Sequence, residues 1–445
     1  MTSDLGVLSG PRWRFLGVFA RYRYAVAALD QAALSVFGFA LNICLLRALS
    51  ATDYGVVSLW MTMALFAVSI QCALVTGPLN IYLPGATDQA AAARLESALA
   101  TVNLVVVLAA AAIAGVANLI GDAEWAWHEP LTIVAIPLFV AAGMYREYYR
   151  NTAFSRHDMP MLLWVDGPYL AVTTACLGAM VLWPQRFADL AAAFLAMTVG
   201  CLVSQLCLRL RSAGKREGAE LRLFSGGWIG TYRRISGDVA WSLAGVFANH
   251  IQGRSYVYIA TSLAGVASLA TINAIGLLFR PVSVVVNAWG ASALPHLASA
   301  LANGRLSEFD RSIARALAGA ATASVAIGVG LWFVWPSIDR YLLAGKYSDG
   351  ILLLVPWAAA SGTSVLRYVG GIGLLAAREF KFLATAQTIC GALAAAATAG
   401  FILWQGYTGA MWGIVIGNGV CLIWELARLQ RVRRRYHAAA AAQPS

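Results

Sequence analysis

Three arginines, Arg254, Arg280 and Arg367, stand in the middle of stretches that are otherwise apolar. A guanidinium near the centre of a bilayer costs about 2.5–3.5 kcal/mol on the insertion scale, so such a residue faces a partner or a wet cavity. All three lie well inside their stretches, too far from the ends to snorkel to the interface. Arginine presents a planar fork that donates two parallel hydrogen bonds, the geometry that recognises phosphate. Asn249, His250 and Gln252 precede Arg254, so its helix carries polar company, and Pro281 follows Arg280. A proline frees a backbone carbonyl that a cavity can hydrate. Arg254, Arg280, Arg367, Asn249 and Gln252 are therefore the expected substrate-binding residues. Two acids, Asp30 and Asp166, fall about one turn inside the first and fifth apolar stretches. They are candidates for carrying a coupling proton or sodium ion, or alternatively for neutralising the three arginines as buried ion pairs. Glu147, Asp238 and Glu425 lie near the ends of stretches and are expected to pair locally, Glu425 with Arg428 one turn on.

The elements that would position these residues follow from composition. Of 445 residues, 60% are hydrophobic and 12% charged, against about 45–50% and about 25% in soluble domains. That excludes an ordinary soluble enzyme, a disordered chain and a disulfide scaffold. A helix crosses the hydrocarbon core with about 20 apolar residues. This ruler predicts twelve spans, near 25–46, 56–83, 97–119, 130–149, 161–182 and 189–208, then 238–261, 265–290, 313–335, 350–372, 380–403 and 408–428. The charge distribution agrees with both ends cytoplasmic. Outer segments hold only Arg47, Arg186, Arg340 and Lys346, three arginines lie in spans, and the other 25 of the 32 basic residues fall inside. Basic residues concentrate on the cytoplasmic side of such proteins, so the net charge of +11 sets topology and does not point to nucleic acid. Trp125, Trp127, Trp183, Trp335 and Trp404 fall at outer ends, as an interfacial aromatic belt requires.

The segment 209–237 divides the spans six and six. The expected organisation is a basic cytoplasmic N-terminus (1–24), a first six-helix half (25–208), a cytoplasmic linker (209–237), a second half (238–428) and a basic tail (429–445). Gly55-Val56-Val57-Ser58 opens the second span and Gly265-Val266-Ala267-Ser268 the eighth. A Leu-Pro pair follows each about thirty residues on, Leu83-Pro84 and Leu294-Pro295. Six spans per half keep the two copies in the same orientation. The fold class expected is an all-α polytopic membrane protein, with about twelve helices in two halves around a central cavity. Gly413-x-x-x-Gly417 in the last span reads as close helix packing.

Several chemistries have no residues to carry them. There is no phosphate-binding Gly-x-x-x-x-Gly-Lys-Ser/Thr loop, since Gly345-Lys346 is followed by Tyr347. No His-Glu-x-x-His pair occurs, and His128, His157, His250, His296 and His437 are scattered. The seven cysteines lie in apolar runs without metal or redox spacing and read as small buried hydrophobes. No catalytic residue, metal or cofactor is expected, and short outer loops count against a sugar polymerase or ligase.

Some of these residues carry a resemblance. Leu45-Leu46-Arg47-Ala48-Leu49-Ser50-Ala51-Thr52-Asp53-Tyr54-Gly55 is similar to the first turn of bacterial polysaccharide flippases. The stretch from Ala274 through Arg280-Pro281 to Leu294-Pro295 resembles their eighth span, and that of related lipid II flippases. Tyr145-Arg146-Glu147-Tyr148-Tyr149-Arg150 is also similar to segments there. With twelve spans in two halves, nearly the whole chain resembles the multidrug/oligosaccharidyl-lipid/polysaccharide exporter superfamily. It differs in carrying Asp30 where some lipid II flippases have arginines. The resemblance implies an inner-membrane flippase for an undecaprenyl-pyrophosphate-linked oligosaccharide in polysaccharide biosynthesis. Rocking of two halves would alternate access, and polysaccharide polymerase or export machinery is a candidate partner. A cation-coupled drug or metabolite exporter of the same fold, using Asp30, is the nearest alternative. A sugar polymerase or ligase and a non-transporting membrane scaffold stand behind it.

Overall fold

The computed structural model describes residues 11–83, 88–120, 130–156, 158–187, 189–213, 223–224 and 227–441. Twelve long helices carry these residues: α1 (Pro11–Ala48), α2 (Ala51–Gln71), α3 (Gln89–Ile120), α4 (Pro130–Ser155), α5 (Met159–Leu182), α6 (Leu190–Ala213), α7 (Ser236–Ala264), α8 (Val266–Ala302), α9 (Leu306–Ser337), α10 (Ile351–Ala376), α11 (Phe380–Gln405) and α12 (Ala410–Ala441). The described residues contain no strand. The protein is an all-α, multi-pass membrane protein. Ten segments are long and apolar enough to cross a bilayer. The last of them, Phe380–Tyr436, takes in both α11 and α12, while α7 falls short because Asn249, His250, Gln252 and Arg254 interrupt it. Twelve helices are thus reconciled with ten apolar segments.

The boundaries differ from the sequence reading where helices outrun the membrane. α1 begins at Pro11, inside the segment expected as an N-terminal tail, and α12 continues to Ala441 through the basic tail. Alanine and arginine are strong helix formers, and a span lends such flanks an already nucleated helix. Trp125, Trp127, His128, His157, Pro84, Lys215, Arg216 and Arg222 lie outside the described residues.

The chain forms two compact units, residues 1–44 with 67–239, and 45–66 with 240–445. In the first unit α3 packs on α4, and α4 and α5 both pack on α6. Asp158 caps α5 by accepting from the Met161 N–H at 2.9 Å, with Pro160 in the first turn. Two residues that follow α6 in the chain bond here, Tyr232 Oη donating to the Leu74 carbonyl at 3.0 Å and the Phe224 N–H to Thr101 Oγ1 at 3.0 Å.

In the second unit α10 packs on α8, α9 and α12, and α11 on α12. Its core includes Val282, Leu297, Phe309, Ile313, Val365, Val369 and Leu374. The turn between α1 and α2 belongs to this unit. Ser50 Oγ accepts from the Asp53 N–H at 3.1 Å and bonds the Asp53 carboxylate at 2.6 Å, closing the first turn of α2. Lys346, from the α9–α10 connection, donates to the carbonyls of Arg47 and Leu49 at 2.7 Å each, capping the end of α1. Arg47 returns a bond to the Tyr341 carbonyl.

The two echoed segments meet inside this unit. A Cβ on Gly55 would lie 2.1 Å from the Val266 carbonyl oxygen, so only glycine lets α2 approach the start of α8. Gly413 and Gly417 likewise bring α12 onto α11, where added Cβ atoms would lie 2.2 Å from Thr398 N and 2.4 Å from Ala394 Cβ. Gly55→Ala must push backbone apart and is expected to cost about 1–3 kcal/mol, the usual penalty of overpacking. Thermal unfolding of the detergent-solubilised protein reads this as a lowered Tm, with Gly38→Ala, which meets nothing within 4 Å, as the control that carries only the helix-propensity gain.

Candidate functional site

The second unit contains a cavity of about 330 Å³ lined by Arg254, Arg280 and Arg367 together. α7 supplies Arg254 and Tyr256, α8 supplies Asn273, Arg280 and Ser283, α10 supplies Trp357, Ser361, Ser364 and Arg367, and α12 supplies Asn418. Its walls are fixed by bonds among them. Tyr256 Oη donates to Asn273 Oδ1 at 3.0 Å, Trp357 Nε1 to the Ile272 carbonyl at 2.8 Å, and Asn418 Nδ2 to Ser364 Oγ at 2.7 Å. The Trp357 indole seats against Gly276, where a Cβ would lie 2.4 Å from the ring. It stacks on Phe279 with centroids 6.4 Å apart.

α8 runs unbroken through Pro281. Proline has no N–H to offer the carbonyl one turn back, which belongs to Leu277, itself a lining residue. The Leu277 carbonyl in the cavity wall thus lacks its usual helical donor. Among the described residues no carboxylate forms an ion pair with Arg254 or Arg280, whereas Arg367 Nη1 stands 3.9 Å from Glu425 Oε1. Three cations against one carboxylate leave a site suited to an anion with several oxygens.

The other predicted residues separate. Asn249 lines a neighbouring cavity of about 660 Å³ with Trp241, Tyr368, Phe380, Gln387 and Glu425, and Arg367 lines both. Gln252 lines neither. It is buried, and its backbone and Cβ pack against Gly391 of α11.

Asp30 and Asp166 come together in the first unit. Arg150 bridges them, Nη2 to Asp30 Oδ2 at 3.1 Å and Nε to Asp166 Oδ2 at 3.0 Å. Arg146 pairs with the other Asp166 oxygen and lies over the Tyr169 ring, 3.8 Å from its centroid. Gln31 Oε1 accepts from Arg150 at 2.9 Å. Within this unit the partners of the two acids are Arg146 and Arg150, so Asp30 and Asp166 already carry counter-charges of their own. The expected fourth span stops at 149, between Arg146 and Arg150, whereas the helix continues to Ser155 and carries both.

A second correction concerns Glu425. Its expected partner, Arg428, instead donates to Glu379 at 2.7 Å, because the start of α11 brings that carboxylate alongside. Glu425 faces inward with no exposed surface and reaches Arg367. The missed signal was Gly370-Gly371 on α10, a step without side chains where a carboxylate can enter. Among the described residues, no group of three His, Cys, Asp or Glu could hold a metal.

No protein-family profile matches the sequence, and no curated protein matches it. Solved structures do match in fold. An inward-facing multidrug resistance transporter of the MATE family, in the MOP superfamily, superposes with a TM-score of 0.68 at 13% identity, over 92% of this chain and 96% of that one. The lipid II flippase MurJ, in an inward closed conformation, gives 0.68 at 11% identity, over 92% and 90%. A MATE protein in a bent conformation gives 0.56 at 15% identity, over 93% and 96%. Across nearly its whole length the chain has the fold that MATE transporters share with the lipid II flippase.

Proposed function

We propose that this protein flips a pyrophosphate-linked lipid oligosaccharide from the cytoplasmic to the outer leaflet of a bacterial inner membrane, by alternating access, with both chain ends cytoplasmic. The observation that carries this reading is the gathering of Arg254, Arg280 and Arg367 on one cavity. A sugar headgroup dragged through hydrocarbon leaves each hydroxyl unsatisfied at a cost of several kcal/mol. A wet, cationic cavity removes most of that cost and holds the pyrophosphate. A negative-inside potential adds about 2.3 kcal/mol per charge and 100 mV to outward movement of an anion. A cavity with three arginines is a poor host for the cationic substrates of a drug exporter. Undecaprenyl pyrophosphate fits the chemistry as carrier lipid, and polysaccharide polymerase is the partner that would take the product.

Deletion of the gene is expected to leave lipid-linked oligosaccharide in the cytoplasmic leaflet, inaccessible to a lectin or glycosidase added to intact spheroplasts. Outward-facing but unpolymerised units would transfer the assignment to a polymerase. Unchanged lipid-linked pools with lost resistance to cationic drugs would transfer it to an exporter.

A further inference from the structure

Glu425 is a fully buried carboxylate that the arginine cavity does not by itself require. Oε1 meets only the Cys421 thiol at 3.5 Å and Arg367 at 3.9 Å, and Oε2 has no hydrogen-bond partner among the described residues. The helices around it offer little competing charge. α10 presents Arg367 and the bare step Gly370-Gly371, where a Cβ on Gly370 would lie 3.3 Å from Oε2. α11 presents Cys390, which clusters with Cys421. α7 presents the neutral amides of Asn249 and Gln252. Arg428, one turn along α12, is committed to Glu379. Among the described residues Arg367 is thus the one counter-charge within reach, and it is loosely held, since its Nε is also unpartnered. It lines both cavities, the one that Glu425 also lines and the one with Arg254 and Arg280.

We propose that Glu425 competes with the bound pyrophosphate for Arg367, holding that arginine while the cavity is empty and recapturing it as the anion leaves. This rests on the arginine cavity being the pyrophosphate site. When the anion draws Arg367 away, Glu425 becomes an isolated buried carboxylate, a state so costly that the group takes a proton instead. One proton moves from solvent to a Glu425 oxygen on binding and returns on release. The occupied state holds more protons than the empty one, so affinity tightens as pH falls. Glu425 thereby weakens equilibrium binding and speeds release, which makes it a positioning residue for turnover.

The test uses the full chain in lipid nanodiscs and farnesyl-diphospho-N-acetylglucosamine, a pyrophosphate diester with no titrating oxygen in the range used. Kd is measured between about pH 5.5 and about pH 8.5. Wild-type Kd is expected to fall with pH by up to about tenfold per unit, the limit for one linked proton. Glu425→Gln should bind tightly and without pH dependence, and in vesicles it should lower KM and kcat together. Arg254→Ala should bind more weakly at every pH with the wild-type slope. Arg367→Gln, which serves if Glu425→Gln fails to fold, should bind weakly and without slope. A wild-type slope surviving in Glu425→Gln or in Arg367→Gln overturns the inference. Absence of probe binding by the wild type at every pH overturns instead the pyrophosphate reading of the cavity.

Discussion

Asp166→Ala is expected to destabilise the protein by about 3–5 kcal/mol, the range found when one partner of a buried ion pair is removed. In a detergent-solubilised sample this appears as loss of the folded fraction in size-exclusion profiles and a collapse of Tm. The reason is geometric. The Asp166 side chain is 1% exposed and each of its oxygens accepts from a different arginine, Arg146 and Arg150, both of which are 12% exposed. Deleting the carboxylate leaves Arg146 with the Tyr169 ring and no acid, and leaves Arg150 with Asp30 and Glu147. Asp30→Asn removes a single contact to an arginine that keeps Asp166, so its loss is expected to be smaller, about 1–3 kcal/mol. If the two acids instead held an exchangeable proton or sodium, neutralising them would spare Tm and abolish transport. Equal melting of wild type and Asp166→Ala would sink the structural account, and Arg146→Met in the Asp166→Ala background should restore part of the lost stability.

The extent to which this could be foreseen from sequence differs between fold and site. Helix number was legible because bilayer thickness imposes a length on every span, and a lipid-facing surface imposes composition. α7 was found although its middle is polar, because the apolar residues on both sides of Asn249, His250, Gln252 and Arg254 still fill the length. Helix ends were less legible. α4 continues through Arg146 and Arg150 because helical hydrogen bonding does not stop where hydropathy falls. Side-chain partners were the least legible. Glu425 has Arg428 within one turn, the nearest choice by spacing, but Glu379 lies 46 residues before Glu425 in the chain and takes that arginine through tertiary packing. The convergence of Arg254, Arg280 and Arg367 was inferable as a cost argument, since three guanidinium groups in hydrocarbon need a shared wet space. The place of Asn249 beside a second cavity, and of Gln252 in neither, was not, because helix rotation decides it.

Arg280→Ala is expected to leave Tm unchanged or slightly raised while transport of a lipid pyrophosphate falls by about ten- to a hundredfold. The two halves of that expectation come from one observation, that Arg280 has no carboxylate partner among the described residues although it stands on a cavity with two further arginines. Removing a paired buried charge orphans its partner, whereas removing an unpaired one relieves desolvation and repulsion, so stability has nothing to lose. Function does lose, because a charge-assisted hydrogen bond to phosphate is worth about 1.5–3 kcal/mol, which is about ten- to a hundredfold. Arg280→Lys keeps the charge but not the planar fork and should recover part of the rate. The measurement pairs Tm with initial flipping rates in proteoliposomes for wild type, Arg280→Ala and Arg280→Lys. A drop in Tm matching that of Asp166→Ala would show that Arg280 has a hidden ionic partner and a structural task. Full transport by a folded Arg280→Ala would remove the cavity from the translocation path. The opposite stability responses of Asp166 and Arg280 therefore separate the charges that hold the helices together from the charges that meet the cargo.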